Sequence, residues 1–225
     1  MNEVPYSSAI GNLMYDMVCT RPDLAHGVSV VSRFMCNLGK AHWVVVKWIM
    51  RYLKGTSNIC MVYGSNDIEC GHIGYADSDY GGDLVKRRSL TCYIFTLYGY
   101  AISWKATLQP TIALSTNEAE YVSLIEGVKE GIWLQGLINS LGLNVQRCVL
   151  CCDGQSALCL AKNPVYHERS KHIDVILNFI RDVIENKLFS IKKILTVDNP
   201  TYMLTKPLSS AKFKHSLDLV NVRIA

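Results

Sequence analysis

The period of the hydrophobic pattern changes near residue 70, and that change limits what the chain can fold into. Before it, apolar residues recur every three or four positions. Tyr6 to Val18 reads as a weakly amphipathic helix, and Pro22 and Asp23 open a second through Val28, Val31 and Phe34. Ala41 to Leu53 is a third, with Trp43, Val46, Ile49, Met50 and Leu53 at helical spacing. Lys47, Arg51 and Lys54 share one of its faces, which reads first as a solvated surface and otherwise as a stripe along a nucleic-acid backbone. Gly64-Ser65-Asn66-Asp67 is a turn-rich break, so a helical segment over 1–70 and a second unit over 71–225 are expected.

After the break the elements are shorter and richer in β-branched and aromatic residues. Ile73 to Asp77 reads as a strand, Asp79 to Arg88 as a charged turn, and Thr91 to Tyr98 with Tyr100 to Lys105 as a hairpin about Gly99. Ser115-x-x-Glu118 is a capping box that opens a long helix, ending near Leu141 with Gly142 as its stop. Cys148 to Cys152 is a continuous apolar run, as in a central strand covered on both faces. Helices over Gln155 to Lys162 and Ile173 to Asn186, a strand over Leu188 to Leu195 and a last helix over Ser209 to Val222 complete the order. This order predicts an α/β layer fold with a mixed sheet.

With 49% hydrophobic and 19% charged residues and a net charge of +4, the chain is not of the disordered class. No apolar run approaches the roughly 20 residues that span a bilayer. The N-terminus has neither the basic start nor the apolar core of a signal peptide, and a helical pattern begins almost at once, as in a piece of a longer polyprotein. The nine cysteines sit mainly in apolar stretches. Cys148-x-x-Cys151 has no second pair to complete a zinc site, so buried, reduced thiols and a cytoplasmic or nuclear location are expected.

Three carboxylates stand out by position. Asp77 and Asp153 end apolar strands, where variable loops meet a rigid frame. Glu120 opens the long helix, and its face continues through Ser123, Gly127 and Gly131. Glycine costs about 1 kcal/mol in a helix interior, so two on one stripe point to close packing. Each residue has a plainer use: Asp77 in a turn, Asp153 as a cap, Glu120 as a charge at a helix N-terminus. If the helix lies on the sheet, the three acids meet, and oxygen-only donors of this kind favour Mg²⁺ or Mn²⁺. Two such ions about 4 Å apart suit phosphodiester hydrolysis.

The motifs around these residues closely resemble the ribonuclease H domain of copia-type retrotransposon polyproteins. They are Gly74-Tyr75-Ala76-Asp77-Ser78-Asp79-Tyr80, Ile102-Ser103-Trp104-Lys105, Ala113-Leu114-Ser115-Thr116-Asn117-Glu118-Ala119-Glu120-Tyr121 and Asp153-Gly154-Gln155-Ser156-Ala157. Arg169-Ser170-Lys171-His172-Ile173-Asp174 and Leu204-Thr205-Lys206-Pro207-Leu208 extend the match. Tyr15, Cys19-Thr20-Arg21-Pro22-Asp23 and Arg51-Tyr52-Leu53-Lys54-Gly55-Thr56 resemble the connecting segment that follows the reverse transcriptase in such polyproteins. No Tyr-x-Asp-Asp polymerase motif is present. The resemblance implies a ribonuclease H-like fold, with a mixed five-stranded sheet and flanking helices, preceded by a small helical segment. It implies two-metal hydrolysis of the RNA strand of RNA–DNA hybrids, with the rest of a reverse transcriptase polyprotein as partner and no membrane.

Carried over position by position, Asp77, Glu120 and Asp153 match the first three of four family carboxylates, with Glu118 the competitor for the second. The fourth departs. Where the family pattern resembles Asn-Pro-Ala-Asp-Met-Leu-Thr-Lys, this chain has Asn199-Pro200-Thr201-Tyr202-Met203-Leu204-Thr205-Lys206. A neutral phenol is a poor ligand for a hard cation, so metal binding should weaken, with Asp198 or Asp174 as possible replacements. Cys92, where the family more often has glycine, is a smaller departure. An inactive remnant that keeps the fold is therefore the alternative. Two basic clusters suit a nucleic-acid partner: Lys86, Arg87 and Arg88, and residues 187–214, where Lys192, Lys193 and Lys206 are among six lysines against the single acid Asp198.

Overall fold

The computed structural model describes residues 4–64, 71–143, 145, 148–154, 182–183 and 189–224. Helices α1 (Tyr6–Cys19), α2 (Ala25–Ser32) and α3 (Lys40–Gly55) come first along the chain. They close on one another through Tyr6, Ile10, Leu13, Val28, Val31 and Val46. Two of the motifs are joined here. The Arg21 guanidinium forks onto the buried Asp23 carboxylate at 2.6 and 2.9 Å, and donates to the Thr56 carbonyl and hydroxyl. The Tyr52 hydroxyl donates to the same carboxylate at 2.7 Å. A buried carboxylate held by an arginine fork and a phenol is satisfied, whereas one left alone would be costly.

A mixed five-stranded sheet follows. Its strands are β2 (His72–Asp79), β3 (Leu90–Leu97), β4 (Tyr100–Leu108), β5 (Val149–Cys152) and β6 (Ser190–Lys193), in the spatial order β4-β3-β2-β5-β6. β2, β3 and β4 run antiparallel; β5 and β6 are parallel to β2. The β3–β4 hairpin turns at Tyr98 and Gly99, both at positive φ, as a two-residue hairpin requires. With helices on its faces this is a ribonuclease H-like fold, as the motifs imply.

Helix α4 (Thr116–Ser140) covers one face of the sheet. A Cβ at Gly127 would lie 3.3 Å from Leu150, and one at Gly131 would overlap the rings of Phe189 and Phe95. The glycine stripe is thus where the helix backbone meets the sheet. The opposite face is covered by α5 (Tyr202–Thr205), α6 (Ser210–Asp218) and the end of α1, with Ala25 entering the same core. The Trp104 indole donates to the Met17 carbonyl at 2.7 Å, tying the helical segment to β4.

Three expectations change. Residues 1–70 are not wholly helical, because Ile59–Met61 forms β1. The last helix stops at Asp218, and Val222–Ile224 forms β7, antiparallel to β1. Asn221 makes the reversal: it adopts φ 56°, which asparagine tolerates, and its amide donates to the Gly99 carbonyl at 2.9 Å. The strand expected over 188–195 is confined to Ser190–Lys193. The helices expected over 155–162 and 173–186 lie outside the described residues, apart from 182–183. Among the described residues no helix is long and apolar enough to cross a membrane.

Gly131→Ala should destabilise the fold by about 1–3 kcal/mol, since two rings must move. Gly127→Ala should change stability by less than about 1 kcal/mol, because Leu150 can give way and alanine favours the helix. Urea unfolding of the two variants measures the contrast.

Candidate active site

The C-terminal ends of β2 and β5 point the same way because the two strands are parallel. That places Asp77 and Asp153 at one end of the sheet. Asp77 is 7% exposed and accepts a hydrogen bond from Thr205 Oγ1 at 3.2 Å. Its backbone is fixed from two sides: Ser123 of α4 donates to the Asp77 carbonyl at 2.5 Å, and Asn199 donates to the Ala76 carbonyl at 3.2 Å. Asp153 follows β5 directly, and its Oδ2 accepts from Tyr202 Oη at 2.6 Å and Thr196 Oγ1 at 3.0 Å.

Glu120 projects from the start of α4 against Gly154. A Cβ on Gly154 would meet the Glu120 carboxylate, so a larger residue there would displace that side chain from its present place. Glu118, the competing glutamate, turns back instead. Its Oε2 accepts from the Leu114 amide at 2.7 Å, while Ser115 Oγ accepts from the Glu118 amide at 3.2 Å. The Ser115 half of the expected capping box is formed, but Glu118 reaches past the N-cap amide to that of Leu114, so the box is not reciprocal.

The acids interact through Asp153. Burial, and then the charge of Asp153, push Asp77 up to about 7, with Lys206, the Ser78 amide and Thr205 acting against the shift. Burial and Asp153 also raise Glu120. Tyr202 is raised by burial and by its bond to the Asp153 carboxylate, which favours the neutral phenol as donor. The Lys206 ammonium lies 3.5 Å from the centre of the Tyr202 ring. In kind these oxygen donors suit a hard divalent cation. In spacing they fall short. Among the described residues no three His, Cys, Asp or Glu side chains are gathered closely enough to hold a metal ion, and two hydroxyls already occupy Asp153 Oδ2.

The other candidates are dispersed. Lys86, Arg87 and Arg88 lie in the turn after β2, organised by Asp83, which accepts from the amides of Val85 and Lys86. Lys192 and Lys193 are exposed on the edge strand β6. Asp198 is exposed and lies in a short 3₁₀ turn; Asp174 falls outside the described residues. The hydroxyl contacts of Thr196 and Thr205 were not legible beforehand. Thr205 sits inside a quoted motif, yet nothing in its spacing says that it reaches Asp77.

A raised Asp77 binds a proton in the folded chain at pH values where the unfolded chain has already lost it. Its contribution to stability is therefore present below the ordinary aspartate pKa and is lost as pH rises towards about 7. In EDTA, Asp77→Asn should gain on the wild type between pH 4 and 7, by about 1–4 kcal/mol, and stay level above that. Denaturant titrations across this range measure the difference.

No family model matches the chain. It is 50% identical over 222 residues to the retrovirus-related Pol polyprotein from transposon TNT 1-94 of Nicotiana tabacum, a match spanning 99% of this chain and 17% of that protein. It is 34% identical over 218 residues to the Pol polyprotein from transposon RE1 of Arabidopsis thaliana, spanning 96% and 15%. A protein described as secreted RxLR effector protein 161 of Plasmopara viticola is 43% identical over 137 residues, 60% of this chain and 94% of that one. Among solved structures, a foamy viral protease–reverse transcriptase in complex with double-stranded DNA matches with a TM-score of 0.56 at 12% identity, over 85% of this chain and 32% of that one. The LC11 ribonuclease H1 matches with a TM-score of 0.45 at 16% identity, over 60% and 91%. With half of its residues identical over nearly its whole length, and the quoted motifs in order, this chain belongs to the retrovirus-related Pol polyproteins of transposons.

Proposed function

We propose that the chain is the part of a retrotransposon polyprotein that acts on the RNA strand of RNA–DNA hybrids, with Asp77, Glu120 and Asp153 as its working carboxylates. The observation that carries this reading is the convergence of the three at one end of the sheet, where Asp153 raises both of the others. As they stand the three do not form a site that holds a metal ion, so a cation would have to draw them together. Mg²⁺ or Mn²⁺ held there would supply charge neutralisation and Lewis acidity for phosphodiester hydrolysis. The protein's own part is to hold the acids: Ser123 and Asn199 fix the strand under Asp77, and Gly154 leaves room for Glu120. Lys86, Arg87, Arg88, Lys192, Lys193 and Lys206 would meet backbone phosphates, and the rest of the polyprotein would supply the polymerase.

A second reading, an inactive remnant that keeps the fold, is favoured by one contact. Tyr202 stands where the family pattern has an aspartate and bonds to Asp153. A labelled RNA–DNA hybrid incubated with Mg²⁺ or Mn²⁺ separates the two. On the nuclease reading the wild type cleaves, Asp153→Asn abolishes cleavage, Glu118→Gln retains it, and Tyr202→Asp increases it about tenfold or more, the equivalent of 1.4 kcal/mol in the barrier. Cleavage by Tyr202→Asp alone would establish the remnant. Silence in every variant, with the fold intact, would remove the carboxylate assignment.

A further inference from the structure

Behind Tyr202 the chain encloses a cleft of about 480 Å³, built by the 3₁₀ turn Thr196–Asp198, α5 and α6. Its volume falls within the roughly 300–1,000 Å³ typical of small-ligand sites. Its lining is of two kinds. Lys206, Lys212 and His215 bring positive or protonatable groups, and Val197 and Leu208 bring apolar surface. Among the described residues none of the three basic side chains enters an ion pair; the ion pairs found are Arg21–Asp23 and Lys129–Glu126. A pocket lined by both ammonium groups outside any ion pair and hydrocarbon suits a nucleotide, which has an anionic phosphate and a flat, weakly polar base.

Tyr202 gives the cleft its direction. Its ring and the overlying Lys206 form part of the cleft, while its hydroxyl reaches Asp153 in the carboxylate cluster. The two sites are thus opposite sides of one side chain.

We propose that this cleft receives the nucleotide next to the one at the carboxylates, with its phosphate between Lys206 and Lys212 and its sugar and base against Val197 and Leu208. The proposal rests on the reading of the chain as a hybrid-binding protein and adds to it a second, flanking subsite. The test uses the full chain in EDTA, with binding of a labelled RNA–DNA hybrid followed over a range of salt. Lys212→Ala should weaken binding several-fold at low salt and flatten the slope of log affinity against log salt by about 0.7–0.9, one phosphate contact. Lys105→Ala, on edge strand β4 at the far side of the sheet, should leave the slope unchanged. Equal slopes for the wild type and Lys212→Ala overturn the subsite, and do so without touching the nuclease reading if cleavage persists. A flattened slope in a chain that cleaves nothing supports the subsite and removes the nuclease reading. Titration with adenosine monophosphate supplies a second readout: saturation at the amides of residues 208–216, with no effect of Lys212→Ala on hybrid binding, would mean a pocket for free nucleotides and overturn the proposal.

Discussion

The close approach of α4 to the sheet governs the rest of the structure. It is possible because Gly127 and Gly131 leave the helix bare where Leu150, Phe95 and Phe189 press against it. Ser123, one turn before Gly127, is then close enough to bond the Asp77 carbonyl, and Glu120, one turn earlier still, arrives beside Gly154 at the end of β5. With bulkier residues on that stripe the helix would ride higher, and Glu120 would lose its place beside Asp153. The same short distance makes the site dry enough to raise Asp77, since burial is the largest cause of that shift.

The other face of the sheet contributes by a different route. Residues 196–206 cross the strand ends and touch both aspartates with hydroxyls: Thr205 to Asp77, and Tyr202 and Thr196 to Asp153. Asn199 anchors this crossing to Ala76 and accepts from Thr201, so the segment is held by its own cap as well as by the sheet. Hydroxyl donors stabilise carboxylates without adding charge. A site built this way keeps its acids in position but competes with any cation for the same lone pairs.

Much of this was legible in the sequence because it follows from local rules. The apolar run at Cys148–Cys152, the hairpin about Gly99 and the N-cap at Ser115 depend on neighbours a few residues apart, and each appears where its pattern predicts. The glycine stripe also spoke beforehand, because two glycines on one helix face are costly unless something packs there. Pairing between distant segments was not legible. Three residues, Ile59–Met61, carry too little pattern to be told from a helix end, and only Val222–Ile224 makes them a strand. Asn221 gave a cue, as a residue suited to positive φ, but its amide partner at Gly99 is 122 positions away. At the site, the strand-end aspartates could be found by position, whereas the hydroxyl of Thr205 could not, since its role depends on how a loop is laid over the sheet.

The pairing of β1 with β7 has a mechanical meaning. It joins residues 59–61 to residues 222–224, so everything between them, the whole sheet and α4 included, forms one loop closed by a short two-stranded clasp. Fraying from the C-terminal side must therefore break that register before it reaches α6, and α6 is one wall of the cleft behind Tyr202. A short strand far from the carboxylates thus acts as a latch on the surface next to them.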